Sequence, residues 1–163
     1  TRTVEMSKDY YVVTLYDDHK RNTHAYISDR DLFGEKVIYL ERDDRAAATE
    51  ADYAMVEFFL EWKPVMANQD VYILGAITDW NLDEKSKMTY DYKRGGYALS
   101  LLLKQGYYDY IYAVKDKDSN VGDVSIVAGN FWETLNEYTI YLYIFDPTQN
   151  YDQLIGVTTV LSH

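Results

Sequence analysis

Hydrophobic and polar residues alternate with a period of two through much of this chain, most regularly between Asp70 and Tyr112. Three apolar runs fall in that stretch, at 71–74, 97–103 and 107–114, separated by Gly75, by Gly95-Gly96 and by Gly106. Tyr97, Leu99, Leu101 and Leu103 share one face of an extended strand, and Tyr108, Tyr110, Tyr112 and Val114 share one face of the next. The helical period of about 3.6 residues is missing here. Lys104-Gln105-Gly106 reads as a short turn with Gly106 at positive φ, so the two strands are expected to form a β-hairpin.

The same pattern predicts strands at 9–16 (DYYVVTLY), 23–28 (THAYIS) and 36–41 (KVIYLE), with turns at 17–20 and 29–35. Segment 42–50 (RDDRAAATE) is charged and then Ala-rich, as a linker would be. It divides the chain into 1–49, additional strands from a larger protein, and 50–163, the main domain. In 51–62 (ADYAMVEFFLEW), Ala54, Val56, Phe58, Leu60 and Trp62 form an unbroken apolar side. A run of that length also suits a helix; the aromatic content and the neighbouring strands favour β. Segment 137–145 (EYTIYLYIF) puts Tyr138, Ile140, Leu142 and Ile144 on one side, and 154–161 (LIGVTTVL) is the last strand. Regularly spaced strands and turns of this kind predict an all-β, immunoglobulin-like β-sandwich with extra N-terminal strands.

Composition supports β and narrows the partners. The 163 residues include 18 tyrosines, whose rings suit a pleated, half-buried surface. A formal net charge of −11 disfavours nucleic acid and anionic membrane surfaces, which need a basic footprint. No window approaches the roughly 20 apolar residues of a membrane-spanning helix, so no membrane insertion is expected. With no cysteine, disulfides, thiolate metal sites and thiol nucleophiles are excluded. The chain opens at Thr1 without an initiator Met or a signal peptide, which reads as a C-terminal piece of a longer protein.

Catalytic patterns are absent from the sequence. His19, His24 and His163 have neither metal-ligand nor triad spacing, and no phosphate loop or nucleophile elbow occurs. Asp43-Asp44 and Asp83-Glu84 sit in charged, turn-like surroundings that give no reason for the burial an acid–base carboxylate needs. Neither an enzyme nor a cofactor is expected. Asp116, Asp118 and Asn120 match the opening of a calcium loop, but Val121 and Val127 replace its Gly and Glu, so a polar hairpin tip is the simpler reading. The aromatics remain. Trp80, in a Gly-bounded loop, is either an exposed anchor for a sugar ring or a protein, or a cap folded over the core. Tyrosines 108, 110, 112, 141 and 143 read first as cross-strand packing and second as an interaction surface.

Two families resemble parts of this chain. Val71-Tyr72-Ile73-Leu74-Gly75, Trp80, Met88, 106–110 and Asn136 resemble the outline of the early-set immunoglobulin-like modules that bind glycogen and starch. That resemblance implies a glucan site using Trp80 and Asn136. Ile111 stands where those modules carry a Lys, and Asp116–Asp118 where they carry a second Trp. A larger set of blocks is similar to the C-terminal portion of the type IX secretion system plug protein family: 50–53 (EADY), 70–75 (DVYILG), 103–110 (LKQGYYDY), 129–138 (GNFWETLNEY) and 151–156 (YDQLIG). It implies a periplasmic, non-enzymatic protein that closes the periplasmic side of an outer-membrane translocon. The candidate ligand or partner surface is then Trp80, Asn136, Trp132, Tyr108 and Tyr110.

Overall fold

The computed structural model describes residues 1–8, 10–21, 32, 34–39, 51–131 and 136–162. The strand expected at 23–28, the linker at 42–50 and Trp132 lie outside them. By contacts the chain divides into two compact units, one of Thr1–Ala25 with Arg30–Asn130 and the other of Tyr26–Asp29 with Phe131–His163.

In the first unit, β1 (Thr3–Met6), β2 (Tyr11–Thr14), β4 (Tyr53–Glu61), β7 (Gly96–Lys104) and β6 (Thr89–Asp91) form one sheet in the order β1-β2-β4-β7-β6. Among the described strands of this sheet only β2 and β4 run parallel. β5 (Gln69–Leu74) pairs with β9 (Ile111–Asp116), and β3 (Lys36–Ile38) pairs with β8 (Gly106–Tyr108), both antiparallel. A four-residue helix, α1 (Ser125–Ala128), follows β9. The all-β class expected from the sequence is the class observed.

β4 is the middle of the larger sheet because its apolar side faces the core. Phe58, Leu60 and Trp62 are buried there, with Leu60 opposite Tyr97 and Phe58 opposite Leu99 on β7. Val71 and Ile73 of β5 and Tyr112 and Val114 of β9 meet them from the other layer. Leu60, Val71 and Ile73 lose all accessible surface (0%), and each such burial contributes about 1.5–3 kcal/mol. The opposite sides of β5 and β9 are also covered: Tyr72 and Ala113 are buried, and Leu82 and Gly122 close over Ala113. Strands covered on both sides read as continuous apolar runs, which is what 71–74 is.

Three expectations change. The runs at 97–103 and 107–114 are not partners in a hairpin: β7 lies between β4 and β6, whereas β9 pairs with β5. Lys104-Gln105-Gly106 is no turn, and Gly106 does not take positive φ. The chain bends at Gln105 and passes from one sheet to the other. Gln105 donates its N–H to the Asp52 carbonyl beside β4 (2.8 Å) and accepts from the N–H of Tyr39 after β3 (3.2 Å). Gly106 is needed for closeness, since a Cβ would meet the Val37 carbonyl and the Ile38 Cα.

Residues before 50 contribute to the main sheet, where β2 lies beside β4. At the other end, β10 (Glu137–Asp146) and β11 (Tyr151–Leu161) form a two-stranded hairpin in the second unit rather than strands of the sandwich. The 2-residue alternation is the same in a sandwich strand and in a free ribbon, so it does not tell them apart.

Core position sets the expected cost of truncation. Leu60→Ala and Ile73→Ala should each destabilise the first unit by about 3–5 kcal/mol, and the half-buried Leu101→Ala by about 2 kcal/mol. Urea melts measure the difference; equal losses at Leu101 and Leu60 would contradict the assigned depth.

Candidate functional surfaces

The loop after β5 is built to display an indole. Thr78 and Trp80 both donate their N–H to the Gly75 carbonyl at 3.0 Å, and the Thr78 hydroxyl donates to the Ile73 carbonyl at 3.0 Å. This forces Asp79 and Trp80 into successive left-handed conformations, φ 50° and 58°, an uncommon state for a bulky residue and a costly one. Trp80 remains 56% exposed. The indole lies across Gly34, whose φ of 77° and missing side chain leave the space; a Cβ there would collide with the ring. The facing segment is tied in turn. Ala76 donates to the Gly34 carbonyl (3.0 Å), Lys36 Nζ to the Ala76 carbonyl (2.9 Å), and the Asp109 carboxylate accepts from the N–H groups of Leu32 and Gly34. Lys36 Nζ also stands 3.8 Å from the Asp79 carboxylate.

The other expected site residues fall elsewhere. Tyr108 is half-buried, its hydroxyl donates to the Lys104 carbonyl at 2.7 Å, and burial holds its pKa above the ordinary value. Tyr110 packs edge-on against Phe58 with ring centroids 5.0 Å apart. Its role is internal. Asn136 belongs to the second unit, where its backbone exchanges hydrogen bonds with Ser162 at 2.9 Å and extends the β10–β11 ladder. Ile111, at the glucan readers' Lys position, opens β9 opposite Leu74 and is half-buried.

Sequence reading placed 17–20 in a simple turn and missed what Asp18 does. Asp18 continues the line of β2 past its end: its N–H donates to the Phe59 carbonyl and its carbonyl accepts from Glu61, both at 2.8 Å. Its carboxylate then accepts from the hydroxyls of Tyr110 and Tyr112, each at 2.7 Å. Burial first, and the negative charge of Asp18 with it, pushes the Tyr110 phenol up from 10.0. Tyr112 is raised by burial and then by Tyr110 and Asp18. Around this point Lys20 Nζ sits 3.4 Å over the Trp62 ring, and Arg94 reaches Asp17 at 3.0 Å while its guanidinium covers Phe59. The signal available in the sequence was an Asp just past a strand-like run, with tyrosines two apart in another alternating run.

Lysines of the calcium-like segment are engaged by backbone carbonyls within it and beside it. Lys115 Nζ donates to the Ser119 carbonyl (3.0 Å) and Lys117 Nζ to the Ala67 carbonyl (2.9 Å), while Gln69 holds Asp116 at 2.8 Å. An open polar depression of about 590 Å³, lined by Asn68, Asp116, Lys117, Asp118 and Ser119, lies here. Among the described residues no group of three or more acidic or histidine side chains is placed to hold a metal ion.

No family model and no curated protein matches the chain. Among solved structures, a hypothetical protein from Parabacteroides merdae ATCC 43184 is similar, with 38% sequence identity and a TM-score of 0.89 over 99% of this chain. The match spans 40% of the length of that protein. It shares the all-β fold and its description assigns no activity.

Two tests follow from these geometries. Asp18→Ala leaves two buried hydroxyls without their acceptor and should cost about 3 kcal/mol in urea melts. In the intact chain the folded state keeps phenolic protons that the unfolded state releases above about pH 10. Stability present below that pH should therefore fall as pH rises, by up to about 1.4 kcal/mol per pH unit for each of Tyr110 and Tyr112. Replacing both by Phe should flatten the decline; an unchanged slope would mean other groups cause it.

The second test concerns calcium. The melting temperature should not differ between millimolar calcium and a chelator, because Val121 and Val127 stand where a calcium loop needs its Gly and its bidentate Glu. A reproducible rise with calcium would show that the loop coordinates it.

Proposed function

We propose that this chain is a non-enzymatic, protein-binding component of a type IX secretion apparatus, acting at the periplasmic side of an outer-membrane translocon. The observation that carries the reading is the ordered set of sequence blocks at 70–75, 103–110, 129–138 and 151–156, which resembles the plug family and runs through both units. The polar side chains the fold gathers favour binding over chemistry. Asp18 is engaged by two tyrosines, Asp109 by two backbone N–H groups, and Asp70 by Lys87 at 2.9 Å. The surface, by contrast, carries large apolar and aromatic groups that solvent alone does not satisfy.

A second reading rests on Trp80. An exposed, pre-set indole is a stacking platform for a sugar ring, so the alternative is an α-glucan-binding module. It lacks a cation at Ile111, and Asn136, its other proposed contact, lies in the second unit.

Calorimetric titration with maltoheptaose and a pull-down with detergent-solubilised translocon separate the two. The expected outcome is no heat with the sugar and retention by the translocon. Saturable micromolar binding of maltoheptaose, abolished by Trp80→Ala, would reverse the order.

A further inference from the structure

The β10–β11 ribbon is apolar on both sides. Tyr138, Ile140, Leu142 and Ile144 occupy one face and Tyr141, Tyr143 and Phe145 the other, and all seven are between 53% and 58% exposed. On β11, Leu154, Ile155, Val157, Val160 and Leu161 are similarly open. Ten residues of β10 extend over about 34 Å. Among the described residues neither outer edge of the ribbon is paired with another strand. A lone hairpin is marginal in water, and strands apolar on both faces are the kind found covered on both faces. This ribbon has the composition of strands from the middle of a sheet.

Charge narrows what covers it. From 137 to 161 there is no Lys or Arg; the only charged residues are Glu137 at the base and Asp146 and Asp152 near the tip. Hydrogen bonds from Thr148 hold the Asp146 carboxyl below the usual carboxylate range, so that end keeps its negative charge. A second copy is a poor occupant. Each copy carries a net charge of −11, and a two-fold face-to-face contact would cover one side of each ribbon and leave the other wet. Lipid is poorer still, because the edges left open among the described residues would bury unpaired N–H and C=O groups. A register shift after Leu142 leaves Ile155 unpaired in β11, a bulge that opposes indefinite edge-to-edge stacking.

We infer that β10–β11 is a docking arm that inserts into a β-structured protein partner, whose apolar slot supplies sheet edges to the ribbon and a basic group to its acidic tip. The inference rests on the protein-binding reading above and names the surface through which it operates.

The experiment uses the full-length protein and the solubilised translocon. Hydrogen exchange is followed in both, and binding is measured for the wild type, for Tyr141→Asp with Ile144→Asp (one change on each face), and for Asp152→Asn. We expect β10–β11 amides that exchange freely in the unbound protein to become protected in the complex. The double variant should bind about 100-fold more weakly with an unchanged core melting transition. Asp152→Asn should lessen the salt dependence of binding. Wild-type binding with no added protection and no effect of the double variant would overturn the docking arm while leaving the partner reading in place. A wild type that does not bind would overturn both. Amides already protected in the free monomer would make the protein's own chain the occupant, and a concentration-dependent dimer abolished by the double variant would make it a second copy. Capture by phosphatidylcholine vesicles, lost in the same variant, would make it a membrane. Each of these three results overturns the proposal.

Discussion

The first unit depends on one carboxylate. Asp18 donates its N–H to Phe59 of the larger sheet and accepts from the N–H of Glu61, and with its side chain receives two tyrosine hydroxyls from the segment that leads into and forms β9. Two apolar layers by themselves tolerate sliding, because hydrophobic attraction has no direction. A half-buried carboxylate with two donors does have direction: a small shift costs it a hydrogen bond from one of the largely buried tyrosine hydroxyls. The edge-to-face stacking of Tyr110 on Tyr112 and of Phe58 on Tyr110 then has one geometry in which every polar atom is satisfied. Among the described residues no buried side-chain nitrogen or oxygen lacks a partner.

How much of this was legible depended on whether the physics was local. The apolar side of 51–62 and the run at 71–74 gave correct strands, since burial imposes alternation on each strand separately. Pairing is not local. A spacing of three residues at 104–106 is compatible with a turn and with a crossing between sheets, and the choice was made by Asp52 and Tyr39, remote in sequence. Likewise the role of Asp18 is fixed by residues more than ninety positions away, a distance at which no periodicity speaks.

The candidate surface was read in part. Trp80 was singled out for its loop, and it does stand open to solvent. Tyr108 and Tyr110 were picked on type alone, and the fold draws their hydroxyls onto Lys104 and Asp18. The pattern at 137–145 shows an apolar strand with Tyr138 and Ile140 on one side and Tyr141, Tyr143 and Phe145 on the other; those tyrosines read first as cross-strand packing, and it is the openness of both sides that the pattern does not show. Tyrosine explains the difficulty. Its ring serves a core and its hydroxyl serves water, so the letter alone does not say on which side of the boundary it lies.

The crossing of Trp80 over Gly34 carries a consequence for how such a chain can vary. The indole occupies the volume that any side chain at 34 would need, and the positive φ at that glycine excludes most replacements independently. Positions 34 and 80 are therefore not free to drift one at a time. Losing the indole would remove the steric half of the constraint and leave the conformational half, so an Asn could then enter at 34 where a larger or β-branched residue still could not. Gaining a side chain at 34 first would push the ring out of its seat. The order of substitution is fixed by geometry, which makes this pair a one-way gate in sequence space.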